Sequence, residues 1–254
     1  MKKKKRSRGI YFLPNFLTII NIFFGFLCLL AVFHSKYLLA AFLLIIAAVI
    51  DAFDGIIARL TKTQSNFGAE FDSFADVISF GVAPSFLLYF WGFRPVFPSG
   101  PSILFSFVLL TAGILRLARF NILQRIKESK KSYLGLTVPS ASLLLAAIVL
   151  NHPQPIGEKV YASLLAVLVV ILSFCMVSTL KYKNFLNFNF RQRIDMKSSL
   201  FIAIIICGLI LYPEISLLSF FSLNVLSGPS AYAFTLFKKK VQKKWKQKEA
   251  EIPE

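Results

Sequence analysis

The sequence is poor in acid, in histidine and in cysteine. Only 12 of its 254 residues are Asp or Glu, two are His and three are Cys. Charged residues make up 16% of the chain, against about a quarter in an ordinary soluble domain, which argues against a soluble globule. Cys28, Cys175 and Cys207 stand singly in three apolar stretches without disulfide or zinc spacing, so they are expected to behave as small apolar residues. His34 falls in a short turn before Tyr37, where a loop histidine is expected rather than a ligand. The alternating period of outer-membrane strands is absent too, which removes the β-barrel reading.

What is abundant is hydrocarbon. Hydrophobic residues reach 56%, with 28 Phe, and apolar runs of 16 to 24 residues recur along the chain. Each is long enough to cross a bilayer core of about 30 Å, and helices then satisfy every backbone group internally. The expected fold is an all-α, polytopic transmembrane helix bundle of about eight spans: 15–33, 38–58, 68–91, 102–120, 136–152, 160–180, 198–212 and 214–236. Pro84, Pro139 and the Gly228-Pro229 pair are expected to interrupt or open helices. The basic start, "KKKKRSRGIYFLPNFLTIINIFFGF", has no small-residue cleavage site closing its apolar part and reads as a retained first helix. No internal repeat or second domain is evident.

Charge sets the orientation. With the N-terminus and every second loop placed on one side, that side carries 26 Lys and Arg; the other holds only Lys36, Arg94 and Lys159. The positive-inside rule then puts both termini on the cytoplasmic face of the inner membrane. The net charge of +17 therefore requires no nucleic acid partner. "MKKKKRSR" and "KKKVQKKWKQK" are read as topology determinants and as contacts for anionic membrane lipids.

Against this background the stretch "DAFDGIIARLTKTQSNFGAEFDSFAD", residues 51–76, stands out. It gathers five of the 12 acidic residues at the ends of two apolar spans. Asp51 and Asp54, three apart, share one helix face; Asp72 and Asp76, four apart, share another. The short link "LTKTQSNF" makes the two helices antiparallel neighbours. Counted from the turn at 1.5 Å per residue, Asp51 and Asp76 lie level with each other, and so do Asp54 and Asp72. Four carboxylates at one depth would repel unless hard cations such as Mg²⁺ or Mn²⁺ lie between them. Such a set suits a two-metal site for phosphoryl-type displacement. Gly55 and Ala58 share the face of Asp51 and Asp54, Gly68 lies below Asp72 and Asp76, and Arg59 is placed to reach a phosphate. The alternative for these positions is helix packing by small residues and a snorkelling arginine. Arg116 and Arg119 in "RLARFN", three apart at the cytoplasmic end of a span, read either as a helix C-terminus complement or as recognition of a phosphate or a substrate carboxylate.

These residues together resemble the signature of the CDP-alcohol phosphotransferases: Asp51-x-x-Asp54-Gly55-x-x-Ala58-Arg59, eight residues, then Gly68-x-x-x-Asp72-x-x-x-Asp76. The flanks "LPNFLTIINIFFGF", "DVISFGVAPS", "RLARFN", "GLTVPSAS" and "MVSTLKY" are similar to the integral-membrane bacterial type that uses serine, over roughly residues 12 to 183. "GLTVPSAS" departs from the more frequent Gly-Leu-Pro start. The resemblance implies a basic N-terminus over 1–12, a six-helix core over 13–183, two additional helices over 184–237 and a basic tail over 238–254. It implies two divalent cations held by Asp51, Asp54, Asp72 and Asp76, with Asp76 as general base. Gly55, Ala58, Arg59, Gly68, Asn15 and Thr18 would contact CDP-diacylglycerol. It further implies L-serine as acceptor, phosphatidylserine and CMP as products, a homodimer, and an active site facing the cytoplasm. Two other readings stay open on the residues alone. One is a sibling transferase with a glycerol 3-phosphate or inositol phosphate acceptor. The other is a divalent-cation carrier, although no acidic track crosses the bilayer.

Overall fold

A computed structural model of the chain describes residues 12–61, 65–125, 133–182 and 211–250. Helix α1 is Phe12–Phe33 and α2 is Tyr37–Thr61; α3 is the continuous run Asn66–Phe93, and α4 is Ser99–Arg125. Strand β1 (Tyr133–Leu134) precedes helix α5 (Val138–Asn151) and helix α6 (Lys159–Val177). Strand β2 (Lys181–Tyr182) and helix α7 (Pro213–Ala250) complete the described chain.

Among the described residues, five helical stretches are long and apolar enough to cross a membrane: Pro14–Phe33, Tyr37–Ala58, Asn66–Phe93, Ser99–Leu123 and Lys159–Val177. They correspond to the first four and the sixth of the expected spans. The seventh, 198–212, lies almost wholly outside the described residues. The eighth falls within α7, which carries Pro229 inside it and continues through the basic tail to Ala250. The multi-pass helical membrane architecture therefore holds.

The faces sort by packing rather than by polarity, as expected where lipid is as apolar as a core. Along α2, Ala40, Ala41, Leu44 and Ala47 are buried, while Leu39, Phe42, Ile46 and Val49 face outward. The turn from α1 to α2 closes tightly: Ser35 takes φ 58°, with Lys36 N–H bonded to Ala31 O at 2.8 Å and Ser35 N–H to Val32 O at 2.9 Å. This is a left-handed helix cap that satisfies carbonyls otherwise left open.

The fifth span is short. Helix α5 has 14 residues, so it rises about 21 Å, and nine of them are buried. The chain before it is not helical yet is enclosed by protein. Gly135 N–H bonds Leu180 O, Leu136 N–H bonds Cys175 O, and Tyr133 and Leu134 pair antiparallel with Tyr182 and Lys181. Irregular backbone enclosed by protein is tolerated when its polar groups are satisfied in this way. Gly135 is required here: it has φ +80°, and a Cβ would run into the Met176 carbonyl.

Helix α3 widens into a π turn twice. Asn66–Asp76 is α-helical, Val77–Val82 is a π turn, Ala83–Leu87 returns to α, and Leu88–Phe93 is π again. Ala83 N–H bonds Ile78 O and Arg94 N–H bonds Tyr89 O, each five residues back. Pro84 lacks the N–H that an α-helix would offer to Phe80 O, and that carbonyl accepts the Ser142 hydroxyl of α5 at 2.6 Å instead. At the end of α3 remote from Asp76, the Trp91 indole N–H donates to His152 O and Gln154 O.

Candidate active site

Ser65 opens α3 as an N-cap: its Oγ accepts the Gly68 N–H at 2.9 Å. From this start Gly68, Asp72 and Asp76 fall on the side that meets α1 and α2. A Cβ at Gly68 would lie 3.1 Å from Ser65 Oγ and 3.4 Å from Asn15 Oδ1, so the beginnings of α1 and α3 touch at this glycine. Gly55 differs. A Cβ there meets nothing within 4 Å, so the space beside it is open rather than filled by a packed helix. Ala58 is half-buried on the same face. Arg59 follows it on α2, and its side chain lies outside the described part of the structure.

The four aspartates come together, three closely and one beside them. One carboxylate oxygen each from Asp51, Asp72 and Asp76 lies within 4.8 Å of the others. Asp51 and Asp76 are close enough for their charges to interact. Asp54 is buried at 5% exposure next to this trio, close enough to Asp72 for their charges to interact. Its Oδ2 accepts from Thr18 Oγ1 at 3.2 Å.

The donor set suits a hard cation. All the ligand atoms are carboxylate oxygens, the donors that hard divalent cations take, and they lie within 4.8 Å of one another. Asp72 Oδ1 and Asp76 Oδ1 are buried with no hydrogen-bond partner among the described residues. Buried carboxylate oxygens left so are costly, and a divalent cation removes the cost. The aspartate cluster therefore fits a bound metal.

The two arginines separate in the structure. Arg116 is buried at 7% exposure, near enough to Asp76 to balance its charge, with its guanidinium 5.1 Å from the Phe120 ring centre. Arg119 turns to α6 and donates to Val177 O, the last carbonyl of that helix, at 3.1 Å. Three-residue spacing puts both on neighbouring faces, but only Arg116 adjoins the carboxylates. Arg119 satisfies a helix terminus instead.

Sequence reasoning missed Asn21 and the Ser73–Asn121 pair. Asn21 is fully enclosed and donates from Nδ2 to Asp51 Oδ1 at 3.3 Å. Asn121 Nδ2 donates to Ser73 Oγ at 3.0 Å, joining α4 to the residue after Asp72. A signal for Asn21 was present: Asn15, Thr18, Asn21 and Gly25 recur at spacings of three, three and four along an otherwise apolar helix, which is one face.

The chain is 32% identical over 232 residues to the CDP-diacylglycerol–serine O-phosphatidyltransferase of Helicobacter pylori strain 26695, covering 90% of this chain and 94% of that protein. It is 38% identical over 180 residues to the protein of the same description from Methanocaldococcus jannaschii, covering 71% and 78%. It is 32% identical over 187 residues to the archaetidylserine synthase of Methanothermobacter thermautotrophicus, covering 72% and 74%. Residues 11–237 match the profile of one family over nearly the whole length, and the chain belongs to the CDP-alcohol phosphatidyltransferase family.

Proposed function

We propose that this chain transfers the phosphatidyl group of CDP-diacylglycerol to the hydroxyl of L-serine, giving phosphatidylserine and CMP. The observation that carries the reading is the convergence of Asp51, Asp72 and Asp76 within 4.8 Å, in a chain whose long-range relatives are described as serine phosphatidyltransferases.

In this reading Asp51, Asp54, Asp72 and Asp76 hold two divalent cations, Mg²⁺ or Mn²⁺. Bound there, the cations supply charge neutralisation of the diphosphate and a better leaving group in CMP. The open space at Gly55 receives the CDP moiety, with Ala58, Arg59, Gly68, Asn15 and Thr18 around it. The acyl chains stay in lipid. Asp76 takes the proton of the serine hydroxyl. The freed oxygen forms its bond to the phosphorus carrying diacylglycerol, and the bond from that phosphorus to the CMP oxygen breaks, its electron pair leaving with CMP. Arg116, buried beside Asp76, is assigned to the serine carboxylate. Arg119 donates to Val177 O, which favours Arg116 over it for the acceptor. The site and both termini face the cytoplasm, the basic segments contact anionic lipid, and the protein works as a homodimer.

The test is an assay of purified protein with CDP-diacylglycerol, Mn²⁺ or Mg²⁺, and serine, glycerol 3-phosphate or inositol phosphate in parallel, with the lipid product identified by mass spectrometry. Phosphatidylserine with stoichiometric CMP is expected. Phosphatidylglycerol phosphate as product would overturn the acceptor, and cation-dependent CMP release with no acceptor able to support it would overturn the transfer itself.

A further inference from the structure

Helix α1 supplies no carboxylate, yet it lies against both helices that do. Its residues Thr18 and Asn21, three apart, donate to Asp54 and Asp51, three apart on the antiparallel α2. The pairs 18–54 and 21–51 are successive rungs of one ladder. At Asn21 the main chain is held as well, since its carbonyl accepts the Ser79 hydroxyl of α3 at 3.1 Å. One residue thus ties α1 to α2 through its side chain and to α3 through its backbone, directly behind the carboxylates.

The amide of Asn21 has two ends, and only one is used. Nδ2 faces Asp51; the reverse amide orientation would set oxygen against carboxylate and is excluded. Oδ1 is buried with no hydrogen-bond partner among the described residues, although the residue is 0% exposed. An enclosed acceptor beside an acidic cluster needs a donor, and the carboxylates have no proton to give once a cation is bound. Hard divalent cations retain part of their hydration and bring such donors with them.

We propose that Asn21 is a positioning residue of the carboxylate site: Nδ2 fixes the orientation of Asp51, and Oδ1 accepts from water of hydration that accompanies the cation. The inference rests on the metal reading above and extends it to α1. Partners in this outer layer commonly set metal affinity by about 10–100-fold.

The test uses full-length protein in nanodiscs without lipid substrate. Mn²⁺ binding is followed by loss of the free-ion electron paramagnetic resonance signal, and the cation-induced rise in unfolding temperature is measured beside it. Asn21→Leu, close in volume, is expected to weaken Mn²⁺ binding by about 10–100-fold and shrink the cation-induced rise. Asn21→Ala serves as a second variant should leucine impair folding. A purely structural Asn21 would lower the unfolding temperature without cation and leave the cation-induced rise intact; that result overturns the proposal. Mn²⁺ binding lost in Asp76→Asn but kept at wild-type affinity in both Asn21 variants overturns it while leaving the metal site standing. No saturable binding by the wild type overturns both.

Discussion

Replacement of Gly25 by alanine is the sharpest probe of how α1 holds the site. A Cβ at this position would stand 2.8 Å from the Ser79 Cα and closer still to the Ser79 hydroxyl. The hydroxyl can rotate away, but the backbone carbon cannot. Carbon atoms in contact sit about 3.5–4.0 Å apart, so α1 and α3 must separate by about 1 Å. One turn away, the Ser79 hydroxyl donates to Asn21 O across this same contact at 3.1 Å, a bond that a separation of about 1 Å stretches past the limit of about 3.5 Å. Asn21, which also donates to Asp51, then loses its hold on α3. Misplacement by about 1 Å costs about 100-fold in rate, equivalent to about 2.7 kcal/mol of barrier. Overpacking should also take about 1–3 kcal/mol from stability. The assay is CMP release from CDP-diacylglycerol micelles with saturating serine and Mn²⁺, beside thermal unfolding in the same detergent. Adding Ser79→Ala should recover little, because the Cα remains. A Gly25→Ala enzyme that folds and turns over within threefold of wild type would refute the reasoning.

Other outcomes follow from the same geometry. Gly55→Ala should not lower the unfolding temperature, since nothing lies within 4 Å of the new methyl and alanine favours a helix interior by about 0.5–1 kcal/mol, but should raise the KM for CDP-diacylglycerol. Asp76→Asn should lower turnover by about 10²–10⁴-fold while the protein remains folded, as judged by product mass spectrometry and circular dichroism. Arg116→Gln should raise the KM for serine by about tenfold or more, the worth of a charge-assisted hydrogen bond, whereas Arg119→Gln should leave KM unchanged and cost about 1 kcal/mol of stability. Chelation with EDTA should abolish turnover, and Mn²⁺ or Mg²⁺ should restore it; undiminished activity in chelator would remove the metal from the reaction.

The spans and the acidic site were legible because each depends on a property carried by residue order. Length and hydrocarbon content mark α1 to α4 and α6, and the eight-residue link fixes α2 and α3 as antiparallel neighbours, so Asp51 and Asp76 had to meet. What could not be read depends on rotation about a helix axis and on the third neighbour. Nothing in the run Val77–Val82 except the nearby Pro84 announces a π turn. The parting of Arg116 and Arg119 is decided by α6, whose end supplies an open carbonyl to the second of them. Helical spacing puts Asn21 on the polar face of α1, but its partners could not be read, because Asp51 and Ser79 lie 30 and 58 positions away. The basic tail reads as a topology determinant and a contact for anionic lipid, with no helix expected there, yet its backbone continues the helix that starts at Pro213.

The π turn after Asp76 has a further consequence for α3. One additional residue in a turn offsets everything beyond it by about 100° around the axis. The acidic half and the Trp91 half are therefore aimed independently, like two tools set at different angles on one shaft. Deleting a single residue between 77 and 82 would leave both ends chemically intact but point the carboxylates away from α2. The extra residue is what lets a rod packed for the bundle interior also present acid to its neighbour.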